Sequence, residues 1–243
     1  MTAIQTFGLT KKYKDKTAVH SLDLIIDQGE LFALLGINGA GKSTIIKMLS
    51  CLLKPTGGDA VILGNSIATD ALKVKSKINI SPQETAVAPN LTVRENLELI
   101  AGIYGSSKKE AKQKAEDTIT AFGMEKIASE KAKKLSGGWQ RRLSIAMALI
   151  SEPEILFLDE PTLGLDVLAR RDLWRTIQQL KGKVTIILTT HYLEEAEALS
   201  DRIGIMSMGV LTSVGTADEL KQKAGTLNFE DAFVKLAEEG ISQ

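Results

Sequence analysis

Short apolar runs alternate along the chain with longer stretches whose apolar residues recur at helical spacing. Strict alternation marks a strand with one face in the core, and an unbroken run marks a strand covered on both faces. Ser21–Asp27 (SLDLIID) alternates and reads as a half-buried strand. Leu31–Leu35 (LFALL), Ile155–Leu158 (ILFL) and Val184–Leu188 (VTIIL) are unbroken and read as buried strands of a parallel sheet. Between them, a helical run from Lys42 to about Leu53 is ended by Pro55, Gly57 and Gly58, and Ala60–Leu63 and Lys77–Ser81 read as further strands. Arg202–Ser207 and Val210–Val214 flank a turn at Met208-Gly209. The tail from Thr216 is helical, with KLAEEGISQ expected to fray.

The middle of the chain, from about Leu91 to Leu149, has helical spacing throughout. Thr92-x-x-Glu95 forms a capping box before the apolar run Leu97–Ile103. Ser107 caps the next helix and Gly123 ends it; within that helix KKEAKQKAE reads as a solvated face. The pattern predicts an α/β core with a mainly parallel sheet over residues 1–85 and 150–215, a helical insert over 86–149 and a helical tail over 216–243.

Composition narrows the function. The 243 residues carry 44% apolar and 25% charged side chains, enough for an ordinary core. Lys plus Arg and Asp plus Glu both total 30, so no net field draws in nucleic acid, and none is expected as a partner. Cys51 is the lone cysteine, so no intrachain disulfide forms and a reducing compartment fits. No apolar run reaches the roughly 20 residues of a membrane span, and the amino terminus lacks the apolar stretch of a signal peptide. The expectation is a cytoplasmic protein whose membrane role, if any, runs through a partner.

The candidate chemistry sits at strand ends. Gly36-Ile-Asn-Gly-Ala-Gly41-Lys42-Ser43 follows an apolar strand and opens a helix. Glycines let backbone N–H groups close around phosphate oxygens, the helix N-terminus adds its dipole, Lys42 supplies a mobile charge and Ser43 offers a hydroxyl to Mg²⁺. Three other strands end in reactive side chains: KINIS in Pro82-Gln83, ILFL in Asp159-Glu160, and VTIILTT in His191. In open parallel sheets ligands bind beyond these carboxyl ends. Side chains of successive strand residues diverge, so Asp159 suits Mg²⁺ and Glu160 suits a water aligned on a γ-phosphate. His20, in a surface-like stretch, reads as structural. A second glycine motif, Leu135-Ser136-Gly137-Gly138, opens the helix QRRLSIAMALI, where it could hold a second anion; by itself it reads as an N-cap with a flexible lead-in.

Taken in order, these motifs resemble the ATP-binding cassette family over nearly the whole chain. GINGAGKST is similar to its Walker A loop, Gln83 to its loop glutamine, LSGG to its signature and ILFLDE to Walker B. Leu163-Gly-Leu-Asp166 resembles the D-loop, and His191 the switch histidine. The resemblance implies a P-loop NTPase core with an amino-terminal antiparallel β subdomain and an inserted helical subdomain. It implies an ATPase that binds ATP and Mg²⁺. Gly36, Asn38, Gly39, Ala40, Gly41, Lys42, Ser43, Thr44 and Gln83 would hold nucleotide, and Ser43, Gln83 and Asp159 the metal. Lys42, Glu160 and His191 would be catalytic. Tyr13, which alone reads as ordinary packing, would stack on adenine. In a head-to-tail pair of cassettes, Ser136, Gly137, Gly138 and Asp166 would act on the partner's ATP. The resemblance implies a peripheral subunit on the cytoplasmic face, bound to a transmembrane permease and to a second cassette.

Where the family signature continues with Gln, this chain has Trp139 and then Gln140. That departure, the Ala-Arg-Arg and Leu-Trp after PTLGLD, and the tail NFEDAFVKL resemble the branch that powers drug, antibiotic and polysaccharide exporters. Val167 replaces the proline often found after the D-loop aspartate. Glu84–Asn90 (ETAVAPN) reads as an apolar surface segment suited to the membrane partner, with Val87 at its centre. A soluble cassette ATPase serving DNA repair, cofactor assembly or the ribosome is the alternative, although no long heptad insertion and no second cassette is present. A GTPase switch lacks its Asn-Lys-x-Asp.

Overall fold

The amino-terminal alternation folds into antiparallel ribbons. β1 (Thr2–Tyr13) pairs with β2 (Lys16–Leu22) and β3 (Ile25–Asp27). These coordinates are a computed structural model describing residues 1–239. β4 (Leu31–Gly36) leads into α1 (Lys42–Leu49). β5 (Gly57–Ile62) returns antiparallel to β1, β6 (Asn65–Ser66) extends that sheet, and α2 (Ala71–Lys75) precedes β7 (Ile78–Ser81). Three helices follow: α3 (Val93–Ile103), α4 (Lys108–Ala121) and α5 (Gly137–Leu149). Then come β8 (Ile155–Asp159), α6 (Val167–Gln178), β9 (Thr185–Thr190), α7 (Leu193–Leu199), β10 (Arg202–Ser207), β11 (Val210–Gly215), α8 (Ala217–Ala224) and α9 (Phe229–Glu239).

Two sheets result. One is antiparallel, in the order β2-β1-β5-β6 with β3 also on β1. The other has the order β11-β10-β4-β9-β8-β7, parallel except for β11. β4, β8 and β9 are buried along their entire length, as their unbroken apolar runs require. Their alternate residues feed separate cores. Leu156, Leu158, Ile186 and Leu188 join the core of α3, α4 and α5. Phe32, Leu34, Phe157 and Ile187 join the core of α1 and the antiparallel sheet. Ala33 and Leu35 pack with Phe229 and Leu236 of α9. Each large side chain buried this way contributes about 1.5–3 kcal/mol.

The predicted start and stop signals of the middle region are present. Thr92 and Ser107 each make a reciprocal capping box, with Glu95 and Glu110. Gly123 (φ 62) closes α4 while the Met124 amide reaches back to Ile119, a Schellman-type end. Ala111, Ala115 and Ile119 are the inward stripe of α4, leaving the charge run on its solvated side.

Four expectations change. Ser21–Asp27 is split, because the Thr6 hydroxyl donates to the Leu22 carbonyl at 2.7 Å and accepts from the Leu24 amide at 2.8 Å, replacing ladder bonds. Leu22, Leu24 and Ile26 nevertheless stay buried, so the alternation was correct where the continuity was not. The first helix ends at Leu49 rather than Leu53. Cys51 turns left-handed (φ 57), and the Leu52 and Leu53 amides both bond to the Lys47 carbonyl. Gly57 and Gly58 begin a strand instead, and a Cβ on Gly58 would lie 2.2 Å from the Gly8 carbonyl oxygen. Val87 packs against the helical core instead of standing free, while Ala86 and Pro89 are exposed. Of KLAEEGISQ, the residues through Glu239 belong to α9; 240–243 lie outside the described residues.

Candidate active site

The parallel register brings the ends of β4, β7, β8 and β9 side by side. Beyond them opens a cleft of about 530 Å³ lined by Tyr13, Lys16, Ala18, Asn38 to Thr44, Gln83, Glu160, Leu163 and His191. The loop from β4 to α1 forms its floor. Gly39 (φ 83) and Gly41 (φ 103) occupy left-handed conformations. A Cβ on Gly41 would lie 2.5 Å from the Ala18 carbonyl oxygen, and one on Gly36 would lie 2.5 Å from that of Met206. The two glycines are therefore demanded by the strands behind the loop as well as by anything in front of it.

Lys42 is 4% exposed, and its ammonium donates to the Gly36 carbonyl at 2.7 Å and meets Glu160 Oε1 at 3.3 Å. Glu160 Oε2 lies 2.6 Å from His191 Nδ1. A carboxylate in its ionised form only accepts, and in that state Nδ1 is the donor of this bond. Glu160 follows β8 with φ 48, a left-handed backbone that costs about 1–3 kcal/mol outside glycine. Its amide is held at 3.1 Å by both the carbonyl and the hydroxyl of Thr189. Asp159 faces elsewhere: its Oδ1 accepts from Ser43 Oγ at 3.1 Å and from Thr189 Oγ1 at 2.6 Å. The two acids are therefore in different company, as their succession predicted. Tyr13 is 46% exposed at the rim, with the Lys11 ammonium 5.2 Å from its ring centre. His20 lies outside the cleft, exposed, its amide bonded to Gly209.

Ser136, Gly137, Gly138 and Asp166 do not line this cleft. Ser136, Gly138 and Asp166 share a second hollow of about 310 Å³ with Trp139, Arg142 and Ala169. Ser136 caps α5, and Asp166 caps α6 by accepting the Leu168 and Ala169 amides at 2.9 Å. A Cβ on Gly138 would meet that of Ala169 at 2.9 Å, so α5 and α6 touch here. Trp139 packs inward against the helical core under the Arg142 guanidinium, 4.6 Å from its ring centre. Gln140 turns away to donate to the Ala132 and Leu135 carbonyls. One chain thus carries two separate glycine-lined hollows.

Two participants escaped the sequence reading. Thr189 pairs in register with Asp159, a fact that requires β8 and β9 to be neighbours. Arg141 is 3% exposed on α5 and bonds to main-chain carbonyls beside the cleft. Its signal was present: it shares the buried stripe of α5 with Ser144, Ile145 and Ala148. Burial pushes its guanidinium below the ordinary value, with Asp159 and Glu195 pulling the other way. Glu195, fully buried on α7, has its carboxyl pushed up by burial while Trp174 Nε1 donates to it at 3.0 Å.

A family model described as ABC transporter matches residues 19–163. The daunorubicin resistance ATP-binding protein DrrA3 of Streptomyces coeruleorubidus is 40% identical over 225 residues, 92% of this chain and 71% of that protein. A solved ATP-binding subunit of an ABC transporter superposes with a TM-score of 0.83 at 30% identity, covering 96% of this chain and 99% of that one. A dimeric ATP-binding cassette in a post-hydrolysis state with ADP and phosphate superposes with a TM-score of 0.78 at 28% identity, covering 88% and 98%.

Proposed function

The chain belongs to the ABC transporter family, and on that premise we propose that it binds and hydrolyses ATP to drive a separate transmembrane permease, for export. The observation that carries this reading is the Lys42–Glu160–His191 chain of contacts over a glycine loop, in one cleft at the sheet edge. The amides of 36–44 and the Lys42 ammonium hold the phosphates, and Tyr13 stacks on the base. Glu160 takes a proton from the attacking water. As the new P–O bond forms at the γ-phosphorus, the bond to the bridging oxygen breaks and its electron pair leaves with ADP. His191 fixes the Glu160 carboxylate and presents Nε2 toward the γ-phosphate. Ser43 Oγ against Asp159 Oδ1 is a hard-oxygen pair that fits Mg²⁺, with Gln83 at the cleft wall as a third oxygen donor. When bound, the ion supplies positive charge to the phosphate oxygens.

The second hollow gives the reason for a dimer. Ser136, Gly137, Gly138 and Asp166 are absent from their own chain's cleft and suit the nucleotide of a partner cassette. The proposed division of the chain follows: a core over 1–85 and 150–215, a helical unit over 86–149 and a tail from 216, peripheral on the cytoplasmic face. Among the described residues, no helix is long and apolar enough to cross a membrane. The composite site is tested by mixing two inactive chains, Ser136→Arg and Lys42→Ala. Their heterodimer retains one site with both faces intact, so partial ATPase activity should return. Complete absence of rescue, with heterodimers shown to form, overturns the head-to-tail arrangement.

The permease surface is best placed at the end of α3. Ile103 (68% exposed), Tyr104 (52%) and Leu99 (46%) are apolar and uncovered. Tyr104 and Ile100 border a groove reaching Pro82 and Ala86, directly beside Gln83. An apolar helix of the permease seated there would contact the loop that senses the γ-phosphate. Ile103→Asp should leave Mg-ATP binding by the chain unchanged, because the side chain is solvated. Co-purification with the permease should fall about tenfold or more, because a charge would be desolvated at the contact. Normal co-purification removes this surface from the interface.

A further inference from the structure

Arg141 presents an arrangement that the proposed chemistry does not use. Its guanidinium is buried, yet it forms no ion pair with a carboxylate among the described residues. It donates instead to three main-chain carbonyls: Pro82 at 2.5 Å, Gln83 at 2.6 Å and Glu160 at 3.1 Å. A buried charge satisfied only by neutral carbonyls is expensive to hold. Asp159 and Glu195 attract it from farther off. What the arrangement gains is geometry. Pro82 and Gln83 follow β7, Glu160 follows β8, and Arg141 itself lies on the second turn of the helix that Ser136 caps. One planar fork therefore ties together three segments that no continuous secondary structure joins. The carbonyl it holds on Glu160 belongs to the residue whose backbone is left-handed, and the carbonyl it holds on Gln83 belongs to a residue whose side chain is free in the cleft wall.

We propose that Arg141 is a positioning residue: it fixes the Glu160 backbone, and it passes displacement of the Gln83 loop to the signature helix of the same chain. This rests on the ATPase reading above. Because that helix would cover the partner's nucleotide, Arg141 couples the state of one ATP site to the cover of the other.

The test compares Arg141→Lys and Arg141→Met with the unmodified chain in Mg-ATP binding and steady-state hydrolysis. An ammonium keeps the charge but lacks the planar, spread donors of the guanidinium, and Met keeps the bulk without charge. Both should retain a Kd for Mg-ATP within about twofold, and a KM equally unchanged, while kcat falls about 10- to 100-fold from misplacement of Glu160. Unchanged kcat in Arg141→Lys overturns the proposal. So does a loss of ATP affinity as large as the loss in kcat, which is what a collapsed site gives. If neither variant folds, hydrogen exchange on the chain with Arg141 intact decides. On adding Mg-ATP to Glu160→Gln, diluted until light scattering shows only monomer, amides 83–85 and 137–142 should gain protection together; a response confined to 83–85 overturns the coupling. Failure of the unmodified chain to hydrolyse Mg-ATP at all removes the ATPase reading itself, a different result from any of these.

Discussion

Glu160→Gln should slow ATP hydrolysis by about 10²–10⁴ without weakening ATP binding. The amide keeps the shape and can still meet His191 Nδ1 at the 2.6 Å position, but it cannot accept the water's proton. Its second consequence follows from the Lys42 ammonium, which in the protein alone stands 3.3 Å from Glu160 Oε1. Phosphate has to compete with that carboxylate for the lysine. Removing the negative charge frees Lys42 and removes repulsion of the γ-phosphate, so ATP affinity should rise. Binding without turnover should then accumulate an ATP-bound dimer, visible by light scattering on adding Mg-ATP. Normal turnover in this variant would show that another group takes the proton.

Lys42→Ala should abolish measurable hydrolysis, a loss of at least about 10²–10³, because it removes the one side-chain cation at the centre of the phosphate loop. A charge-assisted hydrogen bond contributes about 1.5–3 kcal/mol, so Kd for ATP should weaken roughly 10- to 100-fold. The substitution also leaves Glu160 without its cationic neighbour while His191 remains. The carboxylate would then face the phosphates unscreened, adding to both losses. Calorimetric titration and a phosphate-release assay measure the two effects separately. Near-normal hydrolysis would sink the assignment of this loop to phosphate.

Most of this arrangement was legible before any coordinates because its causes are local. Unbroken apolar runs specify strands buried on two faces, and each run here leads at its carboxyl end into the glycine loop, Asp159-Glu160 or His191. The convergence of Lys42, Gln83, Glu160 and His191 follows from strand ends that must share one edge. The contributions of Thr189 and Arg141 are not local. Thr189 matters because β9 lies beside β8, and strand order is a property of the whole sheet. Arg141 lies on the apolar stripe of its helix, but the carbonyls that it holds belong to segments 19 to 59 residues away in the chain, which helical spacing does not reveal. The breaks at Asp23 and Cys51 escaped for another reason. Each depends on a single hydroxyl or a single left-handed residue, which leaves no periodic trace.

Gly36 and Gly41 are pressed from behind by the carbonyls of Met206 and Ala18, in strands of two different sheets. The shape of the phosphate loop is therefore settled when the sheets assemble. A loop left free would surrender about 1–2 kcal/mol of backbone entropy per residue on closing around a ligand. Here most of that ordering precedes the nucleotide. Arrival of ATP can then be rapid, because no slow rearrangement of the cradle stands between encounter and capture. Departure benefits equally. The cradle does not depend on its contents for its form, so ADP leaves an undistorted seat, and the next cycle begins without refolding it.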